Sequence, residues 1–240
     1  MTGVLDRLRG PIFELFDLIT GQPNASVQRV VIAFFAAFVV IFVVFPIHEC
    51  AHGLMAKALG DDTAERQGRL TLNPFVHVDP MGALLICLCN IGWAKPTPVD
   101  IRNCRKVSMK TANALVAFAG PLANFLIAYL FMVVFKLILN FGANDQTTFY
   151  ILLAVLQVIN INLYLGVFNL VPVPPFDGFH ILASFLKPKA LAWFQRNQQI
   201  IYWCFFALLM LNVVSIPLSI AADGLLWLID KGTFFLGTLY

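Results

Sequence analysis

The sequence predicts an all-α polytopic membrane protein: four long transmembrane helices, a short re-entrant segment and a small β element. Three observations carry this. Of 240 residues, 60% are hydrophobic and 12% charged, against about 25% charged in a soluble domain. Twenty-three Phe stand against sixteen Lys plus Arg, too little polar surface to coat a water-soluble core. Mean hydropathy is +0.81, and apolar stretches of spanning length recur along the chain. The high apolar content excludes a disordered chain, and a net charge of +3 without a basic run interleaved with aromatics points to no nucleic-acid partner. The partner these numbers require is the lipid bilayer.

In chain order, Val4 to Thr20 mixes charged and apolar residues around Pro11, the pattern of an amphipathic helix at the membrane interface, and Gly21, Pro23 and Asn24 break it. Ser26 is placed to cap the next helix, whose stretch Val30 to Ile47 is eighteen residues without a charge and continues to Leu59 before Gly60. Asp61 to Pro80 is polar, and Gly68 to Pro74 alternates as a short strand would. Met81 to Ala94, fourteen apolar residues, is short for a span and suits a re-entrant dip. Ala112 to Asn140, Phe149 to Asn169 and Ile200 to Ile220 supply the remaining long helices, with Pro217 near the end of the last and an interfacial tail from Ala221. The expected organisation is an interfacial segment 1–25, a core 26–186 and a C-terminal helix and tail 187–240.

Counting Lys and Arg by loop orients the chain. Segments 57–80, 95–110 and 187–199 hold eleven of the sixteen positive charges, four lie on the other side (Arg7, Arg9, Arg29, Lys231), and Lys136 is within a helix. The richer side should be cytosolic, and this requires 81–94 to enter and leave by the same face. The five cysteines, odd in number and mostly in apolar surroundings, read as packing rather than as a disulfide framework.

His48-Glu49-Cys50-Ala51-His52 matches HExxH, in which histidines one helical turn apart face one Zn²⁺ and the Glu lies beside the water to be activated. Three ionisable groups in a spanning helix cost about 2.5–3.5 kcal/mol each, which argues for a functional reason. The usual downstream Glu ligand is missing: besides Glu49 the chain has only Glu14, before the motif, and Glu65, thirteen residues after His52. The extended HExxHxxGxxH pattern also fails at Met55 and Ala58. His77, His180 and the aspartates remain as third-ligand candidates. Asp177 stands out, because Pro172, Pro174 and Pro175 stiffen the stretch that leads to it directly after a spanning helix; the plainer reading is a turn aspartate before Gly178.

Five segments together resemble the site-2 protease family of intramembrane zinc metalloproteases (peptidase family M50), in its short form without a PDZ domain. They are His48 to His52, Gly68-Arg-Leu-Thr-Leu-Asn-Pro74, Gly92-Trp-Ala-Lys-Pro-Thr-Pro98, Ala119-Gly-Pro-Leu-Ala-Asn124 and Asn169 to Gly178, in the family's order. The resemblance implies that His48, His52 and Asp177 bind one zinc per chain, that Glu49 is the general base and that Asn169 lies close to the substrate carbonyl. Phe176 departs from the Leu usual before Asp-Gly. A multi-pass protein of a bacterial-type plasma membrane follows, with its active site near the cytosolic side and a transmembrane or membrane-proximal protein as substrate.

The spacing of polar residues fits such a site. Asn113, Gly120 and Asn124 share one helical face and Asn162 and Asn169 another, so they could line a wet cavity or form interhelical hydrogen bonds. His180 could orient Asp177 or be a plain interfacial histidine, His77 is expected near the rim, and Arg69 to Leu72 could pair with an unwound substrate as an added strand. The rival to a protease is a non-proteolytic zinc-binding membrane protein, a carrier or regulatory pseudoenzyme; Glu49 argues against it, since a carrier needs ligands but no base. A structural assembly factor and a water-facing anchored protease are further alternatives.

Overall fold

In hydrocarbon every backbone N–H and C=O must find a partner within the chain, which favours helices. The computed structural model obeys this: the structure describes residues 11–22, 26–89, 92–211 and 213–237, and these are helical with no strand beyond one isolated bridge. Helix α1 (Pro11–Ile19) is amphipathic as expected but turns its polar face to the protein. Glu14 and Asp17 are buried while Ile12, Phe13, Phe16 and Ile19 are exposed, an arrangement suited to a lipid surround. The stretch from Val4 to Gly10 lies outside the described residues.

Helix α2 (Val27–Leu59) is capped by Ser26, whose hydroxyl accepts the Arg29 N–H, and ends at Gly60 in the left-handed region (φ 116°) that a residue with a Cβ rarely adopts. Glu14 on α1 accepts from the Arg29 guanidinium at 3.1 Å. At 33 residues, α2 measures about 50 Å and outruns the ~30 Å hydrocarbon layer. It is not uniform: Val40–Val44 forms a wider π turn. Pro46 cannot give an N–H to the preceding turn and its ring crowds the Phe42 carbonyl, and widening the helix just before it relieves that crowding.

The expected β element is absent at Gly68–Pro74 among the described residues. Local side-chain bonds turn that backbone: Thr71 Oγ1 accepts the Asn73 N–H, Asn73 Oδ1 accepts that of Phe75, and His77 Nε2 is 2.8 Å from the Thr71 carbonyl. The result is a turn into the helical Pro74–His77, with His77 fully buried rather than at a rim. The one β pairing among the described residues joins Val78 to Ala94, antiparallel. It ties together the two ends of the excursion through helix α3 (Pro80–Cys89), so the chain leaves and returns at adjacent points, as a re-entrant segment would. Gly82 permits this, because a Cβ there would collide with the Trp93 carbonyl.

Helices α4 (Met109–Phe141) and α5 (Gln146–Asn169), capped by Ser108 and Asp145, pack against each other and, through α4, against α2. Ala56, Leu59, Ala112 and Val116 form one core, and Ala128, Met132, Ile159, Leu163 and Ala222 another. Small residues set the spacing: a Cβ at Gly166 would run into the Phe125 ring. Helices α6 (Asp177–Phe185) and α7 (Pro188–Arg196) lead to α8 (Gln198–Met210) and α9 (Ser215–Gly232).

The fourth span expected over Ile200–Ile220 is a pair of helices, α8 and α9, bent by 76°. Pro217 occupies the first turn of α9, where a missing N–H costs nothing, and so begins a helix instead of ending one. Among the described residues three helices are long and apolar enough to cross a membrane, or four if the bent pair counts as one span. The expected interfacial tail belongs largely to α9, which packs on α5 with Ala222 and Asp230 buried. Lys136 reaches across from α4: its Nζ is 2.7 Å from Asp230 Oδ1 and donates to the carbonyls of Asp230 (2.8 Å) and Gly237 (2.6 Å).

Just past α2, Asp61 is fully buried and accepts from the Thr63 N–H, the Thr63 hydroxyl, the Asp100 N–H and Asn103 Nδ2. Burial alone would raise its carboxyl, but these bonds outweigh it and hold the group below its ordinary value. A depressed folded value means stability that is present above the unfolded value of about 3.9 and lost as pH falls below it. Asp61→Asn is therefore expected to lower Tm near neutrality, with a deficit that closes below about pH 4 in a series of thermal scans. A deficit independent of pH would refute the charge as its source.

Candidate metal centre

His48 and His52, one turn apart in α2, present their rings together, with Nε2 atoms 3.1 Å apart. Asp177 opens α6 and brings Oδ2 to 3.2 Å from His48 Nε2 and 3.4 Å from His52 Nε2. Four bonds of about 2.0–2.1 Å at the tetrahedral angle place zinc ligand atoms about 3.3 Å apart, so these three atoms already form one face of such a tetrahedron. Asp177 Oδ2 is buried without a hydrogen-bond donor, the condition a cation would relieve. Among the described residues this is the one group of His, Cys, Asp and Glu arranged to hold a metal ion.

The surroundings fix the rings in the form a metal needs. His52 Nδ1 lies 2.7 Å from the Val116 carbonyl, which can only accept, so the proton sits on Nδ1 and the Nε2 lone pair points at the cluster. His48 Nδ1 lies 3.2 Å from the Asn124 amide nitrogen, while Asn124 Oδ1 is buried without a partner. With a metal on His48 Nε2, Nδ1 must donate, and turning the Asn124 amide over supplies the acceptor and satisfies the orphaned oxygen. Gly120 gives the cluster its room: a Cβ there would stand 2.5 Å from His52 Nε2 and 2.6 Å from His48 Nε2.

Asp177 is held by its neighbours in the chain. Between α5 and α6 the backbone turns through Val173 N–H to Val171 O (2.8 Å) and Phe176 N–H to Val173 O (3.0 Å), among three prolines that donate nothing. Gly178 lets α6 fold against the end of α5, since a Cβ would strike the Leu170 and Val171 backbone. Phe176 packs edge-on against Phe168 and Phe205, ring centroids 4.5 and 5.2 Å away, so the departure from Leu fills an aromatic cluster beside the carboxylate. Asn113 ties α4 to α6 by donating to the His180 carbonyl at 2.6 Å and to Ser184 Oγ at 3.0 Å.

The cluster opens into a cavity of about 620 Å³ that is also lined by Glu49, Asn169 and His180. Glu49 Oε2 accepts the Thr97 N–H at 2.7 Å. Asn169 is in the cavity wall, but its amide donates to the Leu165 carbonyl one turn back at 3.0 Å, so a role toward substrate requires the side chain to rotate. Asn162 likewise donates within its own helix, to Val158. Sequence reasoning missed Thr97 and the Val116 carbonyl; Asn124 was legible from its spacing with Gly120, though not its contact with His48.

A helical membrane protein with two imidazoles and a carboxylate converging on one buried point is of the metal-binding class. Comparison with known proteins specifies the class further. The family model for peptidase family M50 matches residues 136–212, a stretch holding Asn169 and Asp177 but not the HExxH motif. The "Putative zinc metalloprotease YwhC" of Bacillus subtilis (strain 168) is 39% identical over 156 residues, 64% of this chain and 70% of that protein. The "Putative zinc metalloprotease Rip2" of Mycolicibacterium smegmatis is 30% identical over 148 residues, and the chain covers 54% of its length. The Rip2 of Mycobacterium tuberculosis is also 30% identical, over 149 residues. No solved structure matches significantly. The chain belongs to peptidase family M50, the site-2 protease family of zinc metalloproteases.

Proposed function

We propose that the protein is an intramembrane zinc endopeptidase that hydrolyses a peptide bond within or beside a transmembrane helix of a protein substrate. The observation that carries this is the convergence of His48, His52 and Asp177 to 3.1–3.4 Å at the wall of a cavity that Glu49 shares. These three side chains would hold one zinc, which when bound supplies a Lewis acid and an activated water. Glu49 takes the proton from the attacking water and returns it to the leaving amide nitrogen, so water is consumed and one acid and one amine form. Asn169, turned from Leu165, donates to the carbonyl oxygen as it gains charge. The site faces the cytosol, where eleven of sixteen basic residues gather.

Glu49→Gln removes the base while leaving all three ligands. Purified protein carrying it should keep its zinc, measured by atomic emission, and lose cleavage of a detergent-solubilised single-span peptide by at least roughly 100-fold, the lower end for a general base. Retained cleavage would exclude this mechanism, and a wild-type protein that binds zinc but never cleaves would favour the carrier or pseudoenzyme reading.

A further inference from the structure

Glu49 is gripped twice by one residue of the loop after α3: the Thr97 N–H donates to Oε2 at 2.7 Å, and Thr97 Oγ1 donates to the Glu49 carbonyl at 3.0 Å. That loop is pinned on both sides of Thr97. On one side the Arg69 side chain, in a residue only 8% exposed, donates from Nη2 to the carbonyls of Lys95 (2.7 Å) and Pro96 (3.1 Å). On the other side Asp61, fully buried, accepts the Asp100 N–H at 2.7 Å and Asn103 Nδ2 at 3.1 Å. Pro96 and Pro98 restrict the backbone around Thr97. Across from it α2 has Gly53, where a Cβ would stand 3.2 Å from the Thr97 methyl.

Burying a guanidinium is expensive, and Arg69 Nε has no partner to offset it. An apolar side chain could fill the same space but could not donate to two successive carbonyls, as Arg69 Nη2 does. A Glu side chain left to itself samples several rotamers, and a base must stay within hydrogen-bond reach of the proton it takes. We propose that Arg69 and Asp61 are positioning residues: together they clamp the 95–100 loop so that the Thr97 amide fixes where Glu49 points. The proposal rests on the reading of Glu49 as the base, and it gives a task to the Gly68–Pro74 segment, whose backbone forms no strand.

The test uses the full chain in detergent, with zinc content, amide hydrogen exchange across 92–103, and kcat and KM on a synthetic quenched-fluorescence peptide carrying one apolar helix. Arg69→Ala is expected to keep zinc and KM, to speed exchange of the Thr97 amide, and to lower kcat roughly 10- to 100-fold, the range for residues that orient a metal site's working groups. Arg69→Lys should recover part of kcat. Should Arg69→Ala fail to fold, Thr97→Pro, which removes the donor itself, is expected to give the same kcat loss with zinc retained, and Thr97→Ser to match wild type. Wild-type kcat in Arg69→Ala or Thr97→Pro, with Glu49→Gln inactive, overturns the clamp alone. An active Glu49→Gln overturns the base and the clamp with it. Exchange needs no substrate: a Thr97 amide no faster in Arg69→Ala than in wild type also overturns the proposal.

Discussion

Gly120→Ala is expected to strip the protein of zinc while leaving it folded. The added carbon would stand 2.5–2.6 Å from both Nε2 atoms, well inside the 3.4–4 Å of ordinary contact. Neither ring can give way cheaply, because His52 is tied to the Val116 carbonyl and His48 faces the buried Asn124. Either α4 withdraws from α2 or the rings turn from the point they share with Asp177. Loss of an outer partner of a ligand costs about 10- to 100-fold in metal affinity, and here the ligand atoms themselves are displaced, so at least about 100-fold is expected. Helix propensity argues the other way for folding, since Ala is favoured over Gly within a helix by roughly 0.5–1 kcal/mol. Zinc content measured beside circular dichroism separates the two effects, and a helical Gly120→Ala protein with full zinc would refute the geometry.

Lys136→Met is expected to cost about 3–5 kcal/mol of stability, the range for removing one member of a buried ion pair. Lys136 is 1% and Asp230 0% exposed, and the ammonium also serves the carbonyls of Asp230 in α9 and of Gly237 beyond it. Without it the Asp230 carboxylate stays in the bundle facing an apolar side chain. Pairing Lys136→Met with Asp230→Leu should recover part of the loss, because the charges then leave together. Thermal unfolding in detergent reads both; a single variant within about 0.5 kcal/mol of wild type would mean that the pair contributes little. Zinc content should not change, since the pair involves neither α2 nor α6.

Much of the centre was legible because local spacing encodes it. His48 and His52 are one turn apart in any helix, and the prolines before Asp177 announce a stiff segment wherever it packs. Long-range closeness was not legible: Gly120 reads as a small helix residue until the imidazoles are placed beside it, and Thr97 reads as a loop residue between prolines. The Gly68–Pro74 alternation misled because period two measures side-chain direction, while Thr71, Asn73 and His77 decided the backbone bonds. Pro217 misled because the same missing N–H can close one helix or open the next. The Lys136–Asp230 pair joins residues far apart in sequence, and each alone reads as an isolated charge.

The wide turn at Val40–Val44 sets the phase of everything after it. Phe38, 55% exposed, looks out from the bundle. In an unbroken α-helix His52, fourteen residues further on, would sit only about 40° round the axis from that ring, looking out as well. Absorbing one residue in the turn carries it to about 140°, and the same count places His48 near 180°. The two imidazoles owe their inward aim to a local unwinding two turns upstream, in a Val-Ile-Phe-Val-Val run that contains no polar atom beyond its backbone.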